Sequence, residues 1–312
     1  MANATIQAPT TLLKAVAYFS DQDRAFDFVA SIRWPDGNVA CPRCGASDPS
    51  FISTRRIWKC KGCKQQFSLK VGTIFEDSPL GWDKWVPAVW LLANSKNSVS
   101  SHELGRALGV TQKTAWFMLH RIRDAMETGT FIRLSGTVEV DETYVGGLGK
   151  FMHKNKRAKL HGTGGVDKAI VQGARHRDAG RVQATVVEAT DTATLQGTVR
   201  SWVEPGSAVF TDAASAYRGL DDYYAHKIVD HGRREYVSGI VHTNGIENFW
   251  SLLKRAIKGT QVHVDRAHLG RYVTERTFAY NYRNESDLTR LRVAMTGADG
   301  RRLTWATLTD HD

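Results

Sequence analysis

All four cysteines of the 312-residue chain lie in one short segment, as two C-x2-C pairs separated by fifteen residues. They are Cys41, Cys44, Cys60 and Cys63. Two pairs at this spacing suit one tetrahedral Zn²⁺ held by four thiolates, and the metal would close the intervening residues into a small ribbon. Four unrelated buried or paired thiols would not be expected to cluster in this way. We therefore predict a structural zinc ribbon over residues 41–75.

The segments on either side of the cysteines have the apolar spacing of helices. Residues 1–40 are predicted to form a helical segment that packs on the ribbon. Residues 80–130 begin with the apolar stretch "GWDKWVPAVWLLANS", which predicts a buried core helix. After it, Ser100 or Ser101 can cap a short helix, Gly109 ends that helix, and Thr111 can cap another. This order is typical of a helix-turn-helix, and a plain helical hairpin is the alternative.

The charge of the chain indicates a polyanionic partner. Its net charge is +10 and its pI is about 9.5, a balance that favours nucleic acid or an anionic surface. In a helix-turn-helix, the first residues of the second helix meet base edges in the major groove. We therefore predict that Thr111, Gln112 and Lys113 contact double-stranded DNA.

No feature of the sequence predicts a membrane protein. No apolar run approaches the roughly 20 residues that are needed to span a bilayer. The first twenty residues also lack the basic, apolar and small-residue pattern of a secretory signal. We expect a cytoplasmic protein with no membrane partner.

Beyond Gly129 the pattern changes to that of a mixed α/β domain. Strands are predicted at 137–147, 168–177, 181–189, 208–211 and 226–231, with helices at 192–203, from 242 and near the C-terminus. This order predicts a three-stranded antiparallel meander followed by a parallel addition.

Two acidic residues of this region lie on predicted strands. Asp141 lies within the first strand and Asp212 ends the fourth, and active sites of α/β sheets gather at strand ends. Adjacent carboxylates repel each other, so both stay ionised most readily around a divalent cation such as Mg²⁺. Asp212 read alone is nearly as well explained as a helix cap. Glu142 should point to the opposite face of the strand, because side chains alternate there.

Five stretches, in order along the chain, resemble the DDE transposases of bacterial insertion sequences. They are "CPRCG…WKCKGC", "VEVDETYVGG", "VFTDAASAY", "HTNGIENFWSLLKRAIKGT" and "HLGRYVTERTFAYNYR". The resemblance covers roughly residues 21–283 and is to the branch with an N-terminal zinc ribbon. It implies a multidomain α/β protein: zinc ribbon plus helix-turn-helix, then a ribonuclease-H-like mixed sheet with flanking helices over 135–285. Residues 286–312 are left as a C-terminal tail.

The resemblance implies an acid triad that holds two Mg²⁺ or Mn²⁺ ions. The first acid matches Asp141, the second Asp212, and the third Glu247, which thirty-four residues separate from Asp212. In parts of the family the third position is asparagine or histidine, so Asn244 and Asn248 are alternatives. The structural reading of Asn244 is a helix cap.

The resemblance also implies contacts with DNA phosphates near the metals. Many of these enzymes carry a basic residue seven positions after the third acid, which here is Lys254, and Lys258 is a further candidate. The basic, glycine-rich residues 149–165 are either a solvated loop or an arm across the DNA. Arg233 and Arg234 could flank the same channel.

The family implies binding of terminal inverted repeats, Mg²⁺-dependent hydrolysis at the element ends, and transfer of the 3′-hydroxyl into target DNA. It implies a homodimer or higher oligomer, because two ends must be paired, and a place at the bacterial nucleoid. The alternatives are a domesticated sequence-specific DNA-binding regulator that no longer cuts and a structure-selective nuclease that does not join strands.

Overall fold

The computed structural model describes residues 9–127, 133–146, 168–229 and 241–309. It divides into two compact units, one of residues 1–129 with 284–312 and one of residues 130–283. The basic segment 149–165 and the pair Arg233 and Arg234 lie outside the described residues. None of the helices in the described ranges has the length and apolar character that a membrane crossing requires.

The regular elements are numbered along the chain. The helices are α1 (Leu12–Phe19), α2 (Gln22–Arg33), α3 (Trp82–Asn94), α4 (Ser101–Leu108), α5 (Gln112–Ala125), α6 (Thr192–Trp202), α7 (Asn244–Ala256), α8 (Arg266–Asn281), α9 (Asp287–Thr296) and α10 (Trp305–Thr309). The strands are β1 (Ser50–Ile52), β2 (Ile57–Lys59), β3 (Gln66–Ser68), β4 (Thr137–Val145), β5 (Ala169–His176), β6 (Arg181–Val187), β7 (Ala208–Asp212) and β8 (Ala225–Val229).

An aromatic cluster forms the core of the ribbon in the first unit. The three short strands pair antiparallel in the order β1-β2-β3, with Trp58 opposite both Phe51 and Phe67. Trp58 is buried and stacks on Phe67 and on Phe26 of α2, with ring centroids 5.7 and 5.6 Å away. The predicted packing of the N-terminal helical segment on the ribbon is therefore confirmed.

Two helices begin and end at the capping residues that the sequence predicts within the helix-turn-helix region. The Ser100 hydroxyl accepts the Glu103 amide (3.1 Å) at the start of α4, and Gly109 ends that helix with φ 65°. The Thr111 hydroxyl accepts the Thr114 amide (3.1 Å) at the start of α5. These caps satisfy amides that have no partner within the helix, and they fix a short turn between two helices in contact.

The C-terminal residues form helices where a tail was expected. Ser286 caps α9, and its hydroxyl accepts the Thr289 amide (3.2 Å). Leu291, Ala294 and Met295 recur at helical spacing and are buried, and α9 contacts α3. This apolar stripe explains why the segment packs into the first unit instead of staying in solvent.

The second unit contains a five-stranded mixed sheet in the order β6-β5-β4-β7-β8. The pairs β6-β5 and β5-β4 are antiparallel, whereas β4-β7 and β7-β8 are parallel. The predicted meander with its parallel addition is confirmed. Apolar residues of α6 pack on one face of the sheet, and those of α7 and α8 pack on the other.

Candidate metal centres

The two central parallel strands bring Asp141 and Asp212 side by side. Thr137 of β4 lies opposite Ala208 of β7, and the register continues to Glu139 opposite Phe210. The paired residues end there, and the same register continued for two more residues would set Asp141 beside Asp212. The charge of Asp212 does act on Asp141, whose pKa it helps to raise. Residues in register on neighbouring strands share a face and lie about 5 Å apart. The structure therefore brings together the first two of the three predicted acids.

The electrostatics of this site favour a bound cation. Burial raises the pKa of Asp141 to about 7, the charge of Glu142 adds to the rise, the Trp250 indole opposes it, and Asp212 adds further. Burial, with the charge of Asp212, also raises the pKa of Glu142. Close carboxylates near neutral pH thus carry unfavourable negative charge, which a divalent cation between them would relieve.

Neighbouring Asp141 and Glu142 face opposite sides of the sheet, as predicted. Asp141 accepts a hydrogen bond from Trp250 of α7 (2.9 Å), whereas Glu142 accepts one from the Tyr217 hydroxyl (2.7 Å). Tyr217 belongs to the apolar cluster that packs beneath α6. Of the two acids, Asp141 is the one that faces α7.

The third predicted acid, Glu247, lies in the first turn of α7. It is exposed, and its Oε1 accepts a hydrogen bond from the Thr243 hydroxyl (2.9 Å). A metal site can be expected where three or more histidine, cysteine or acidic side chains have ligand atoms within 4.8 Å of one another. Within the described residues, only the four cysteines meet this condition. Asp141, Asp212 and Glu247 thus do not form a closed cluster here. Glu247 stays a prediction, with the exposed Asn244 and Asn248 as alternatives.

The predicted cap role of Asn244 is wrong. Asn244 is the first helical residue of α7, and the cap position belongs to Thr243, whose side chain makes no capping hydrogen bond. The reason lies in the sheet, since Glu139 of β4 accepts the amide of Ile246 (2.9 Å). A carboxylate from the sheet thus accepts the amide hydrogen bond that the side chain of a cap residue usually accepts.

Glu139 is the centre of a buried network that the sequence did not reveal. Its carboxylate is fully buried and also accepts bonds from Arg177 Nε (2.8 Å) and Arg175 Nη1 (3.3 Å). Arg177 Nη2 in turn donates to the carbonyl of His242 (2.7 Å). A Cβ on Gly245 would lie 2.6 Å from Glu139 Oε2, so the close approach of α7 requires glycine. The network holds the start of α7 against Glu139, which lies two residues before Asp141 on β4.

Replacing Glu139 with alanine is expected to lower the free energy of unfolding by roughly 3–5 kcal/mol, because it leaves two guanidinium groups without their buried acceptor. Urea denaturation of the full chain measures the effect. Glu188→Ala removes a solvent-exposed partner of Arg266 and is the matched control, with little change expected. Equal stability of the two variants would contradict the structural role of Glu139.

Lys254 lies close enough to Asp141 to interact with its charge. Partial burial lowers the pKa of Lys254, the charge of Lys258 lowers it further, Asp141 raises it, and Lys168 lowers it again. The two predicted phosphate contacts therefore belong to one group of lysines beside the first acid. Lys168, the residue just before β5, is a further member that was not predicted from the sequence. Its place three positions after the basic segment 149–165 was the available signal.

The four cysteines form the other candidate metal centre. The Sγ atoms of Cys41 and Cys63 are 3.8 Å apart, those of Cys44 and Cys60 are 3.5 Å apart, and all four lie within 4.8 Å of one another. Zn–S bonds of about 2.3 Å in a tetrahedron set sulfur atoms about 3.8 Å apart, so the geometry fits Zn²⁺. The Cys63 amide donates to Cys60 Sγ (3.4 Å) and lowers the pKa of Cys60 to about 6.

The predicted DNA-reading residues lie at the exposed start of α5. Thr111 caps the helix, Gln112 donates to the Ser101 hydroxyl (2.8 Å), and the Lys113 ammonium lies 4.4 Å from the ring centroid of Trp305. No sequence pattern predicted that Trp305 of α10 would cover this lysine. Their contact with DNA stays a prediction.

Comparisons with known proteins match most of the second unit and the ribbon part of the first. Residues 133–281 match the ISXO2-like transposase domain, and residues 20–66 match the transposase zinc-ribbon domain. The chain is 30% identical over 249 residues to an uncharacterized protein in transposable element ISH50 of Halobacterium salinarum, covering 76% of this chain and 83% of that protein.

Two further likenesses are more limited. An uncharacterized transposase-like protein of Haemophilus influenzae is 29% identical over 102 residues, which are 32% of this chain and 81% of that protein. Among solved structures, a chain of the simian T-cell lymphotropic virus intasome in complex with PP2A regulatory subunit B56 gamma matches at 15% identity and a TM-score of 0.27. That match covers 59% of this chain and 66%, just under two thirds, of the other.

Proposed function

This chain belongs to the IS1595 family of transposases, and from that premise we propose that it cuts the ends of its own insertion sequence and joins them to target DNA. The first step is hydrolysis of a phosphodiester bond at each element end, which frees a 3′-hydroxyl. In the second step that hydroxyl attacks a target phosphodiester, so that one bond forms as another breaks. The observation that carries the proposal is that Asp141 and Asp212 lie on adjacent parallel strands and that the charge of Asp212 raises the pKa of Asp141.

The acidic residues of the two central strands fit a divalent-cation site. Asp141 and Asp212 would hold Mg²⁺ or Mn²⁺, with Glu247 as the proposed third ligand. Two such ions would stabilise the charge on the attacking and leaving oxygens of the phosphodiester. The chain itself aligns the carboxylates through the register of β4 and β7 and sets α7 beside them through Glu139. Positioning and charge neutralisation are therefore its main contributions.

Lysines of α7 and of the turn that follows it, Ile257–Gln261, would hold the DNA backbone beside the acids. Lys254 interacts with the charge of Asp141 and lies one helical turn before Lys258. A phosphate bound by these ammonium groups would lie next to the reacting carboxylates. Because contacts with phosphates carry no sequence information, their role is to set the register of the DNA strand.

Replacing Lys254 with alanine is expected to weaken end binding for every DNA sequence and to lower the slope of log affinity against log salt by about 1. Fluorescence anisotropy over a series of salt concentrations measures that slope. Lys227→Ala, an exposed lysine on the edge strand β8, is the matched control and should leave the slope unchanged. An unchanged slope for Lys254→Ala would remove this residue from the DNA interface.

We propose that the first unit recognises the element ends. The start of α5 presents Thr111, Gln112 and Lys113 at the surface, and a second helix of a helix-turn-helix reads bases in this way. The zinc ribbon would add backbone contacts through its surface lysines. Pairing of two ends would require a homodimer or higher oligomer.

A strand-transfer assay with full-length protein, labelled element-end DNA, a target plasmid and Mg²⁺ tests the proposed function. The expected result is a joined product that depends on the terminal inverted repeat and the metal. Cleavage without joining would instead indicate a nuclease. Sequence-specific binding without cleavage would indicate a regulator. Either outcome would overturn the proposal.

A further inference from the structure

The indole of Trp250 links the helix α7 directly to Asp141. Its Nε1 donates a hydrogen bond to Asp141 Oδ2 at 2.9 Å, across 109 positions of sequence. Trp250 is only 4% exposed and Asp141 is half-buried, so the donor side of this bond is shielded from water. An indole N–H can only donate, and a bond to an ionised acceptor is stronger than one between neutral groups. The contact therefore fixes one of the two carboxylate oxygens.

The sheet has a gap that admits this indole. Gly173 of β5 lies opposite Asp141 in the β4-β5 ladder. A Cβ on Gly173 would lie 2.5 Å from Cη2 of Trp250 and 2.9 Å from Cζ2. Gly173 does not have positive φ, so the backbone conformation does not demand glycine at this position. The missing side chain instead leaves room for the ring to reach Asp141.

We propose that Trp250 is a positioning residue, which holds Asp141 Oδ2 through its indole N–H and leaves Oδ1 directed at a divalent cation. The inference rests on the proposed function, because it assumes that Asp141 is a metal ligand. Groups that hydrogen-bond a ligating carboxylate orient it, and their loss typically weakens metal binding 10–100-fold. Trp250 also lies between Glu247 and Lys254 on α7. The same bond thus ties the third acid and the phosphate-binding lysine to the first acid.

The competing explanation is that Trp250 only fills space. Its ring packs over Gly173 and lies 5.2 Å from the ring of Phe249, centroid to centroid. Phenylalanine would keep most of that packing but has no N–H. Trp250→Phe therefore separates the hydrogen bond from the packing.

Binding of Mn²⁺ to the full-length protein, with the cysteines occupied by Zn²⁺, provides the first test. Isothermal titration calorimetry should show a site that Asp141→Asn removes and that Trp250→Phe weakens about 10–100-fold. Trp202→Phe is the matched control, because Trp202 is a buried tryptophan of α6 on the opposite face of the sheet. Its Mn²⁺ affinity should equal that of the wild type.

Indole NMR provides a readout that does not depend on the stability of a tryptophan variant. The chain has 9 tryptophans, and the ¹⁵N-indole signal that is absent from Trp250→Phe identifies Trp250. We expect this signal to shift in Asp141→Asn and to be the first broadened by paramagnetic Mn²⁺ in the wild type. If Trp250→Phe does not fold, the signal is assigned from Trp250→Tyr or by elimination from the other tryptophan variants.

The outcomes separate this inference from the proposed function. If Asp141→Asn abolishes Mn²⁺ binding while Trp250→Phe binds within twofold of wild type, Trp250 only packs and the inference is overturned. The inference is also overturned if the Trp250 indole signal does not shift in Asp141→Asn. If Asp141→Asn binds Mn²⁺ as the wild type does, the metal site of the proposed function fails instead.

Discussion

Replacing Asp141 or Asp212 with asparagine is expected to reduce both cleavage and strand transfer by at least about a thousandfold. Asparagine keeps the side-chain volume and an oxygen that can accept the Trp250 bond, but it loses the charge that would hold a cation between β4 and β7. Metal ions contribute several kcal/mol of transition-state stabilisation, and each 1.36 kcal/mol is tenfold in rate. Single-turnover strand transfer at saturating end DNA measures the loss.

End binding provides the internal check on these two variants. Recognition is assigned to the first unit, so the affinity for element ends should stay within about twofold of wild type. Asp178→Asn, in the exposed turn between β5 and β6, is the matched control and should leave the rate unchanged. A rate within tenfold of wild type for Asp141→Asn or Asp212→Asn would contradict the assignment of the acidic pair.

Replacing Cys60 with serine is expected to unfold the ribbon and to abolish recognition of element ends. Cys60 is buried, and its sulfur lies among the other three. The ribbon has three short strands around Trp58, too small a core to fold without a metal. Structural Zn²⁺ contributes roughly 10–16 kcal/mol to folding in zinc-finger peptides, so its loss should outweigh every other single change in this unit.

Three measurements follow the Cys60 variant. Elemental analysis should find one zinc per wild-type chain and none in Cys60→Ser, and the near-ultraviolet circular dichroism of Trp58 and its aromatic partners should collapse. Anisotropy should show end binding reduced to the non-specific level. Thr54→Ala, an exposed residue of the same ribbon, should match the wild type in all three. A ribbon that keeps its aromatic signal without zinc would contradict the metal's structural role.

Much of the fold follows from local sequence patterns. The β-branched runs and intervening turns predict the order of strands, and Ser100, Gly109 and Thr111 mark helix boundaries where the structure has them. Asp141 and Asp212 can be expected near each other because both lie on strands of one sheet. How closely they approach depends on how β4 pairs with β7, which no local pattern encodes.

The features that the sequence did not predict depend on contacts between distant residues. Glu139 lies two residues before Asp141 and on the same face of the strand. This spacing alone does not distinguish an acid that anchors a helix from one at the surface. The cap role assigned to Asn244 is wrong because Glu139 supplies the acceptor from more than a hundred residues away. The Trp250 bond to Asp141 depends equally on the space that Gly173 leaves for the indole. From the sequence alone, a glycine in a strand indicates only a weakened strand.

The most direct test of the central claim is a crystal structure of the full chain with element-end DNA and Mn²⁺, with anomalous diffraction used to locate the metal. The account predicts anomalous peaks bounded by Asp141 and Asp212, with a third ligand from α7 that is Glu247 and not Asn244 or Asn248. It also predicts a DNA phosphate on Lys254. Mn²⁺ bound away from both aspartates, with the reactive end of the DNA on another face of the sheet, would contradict it.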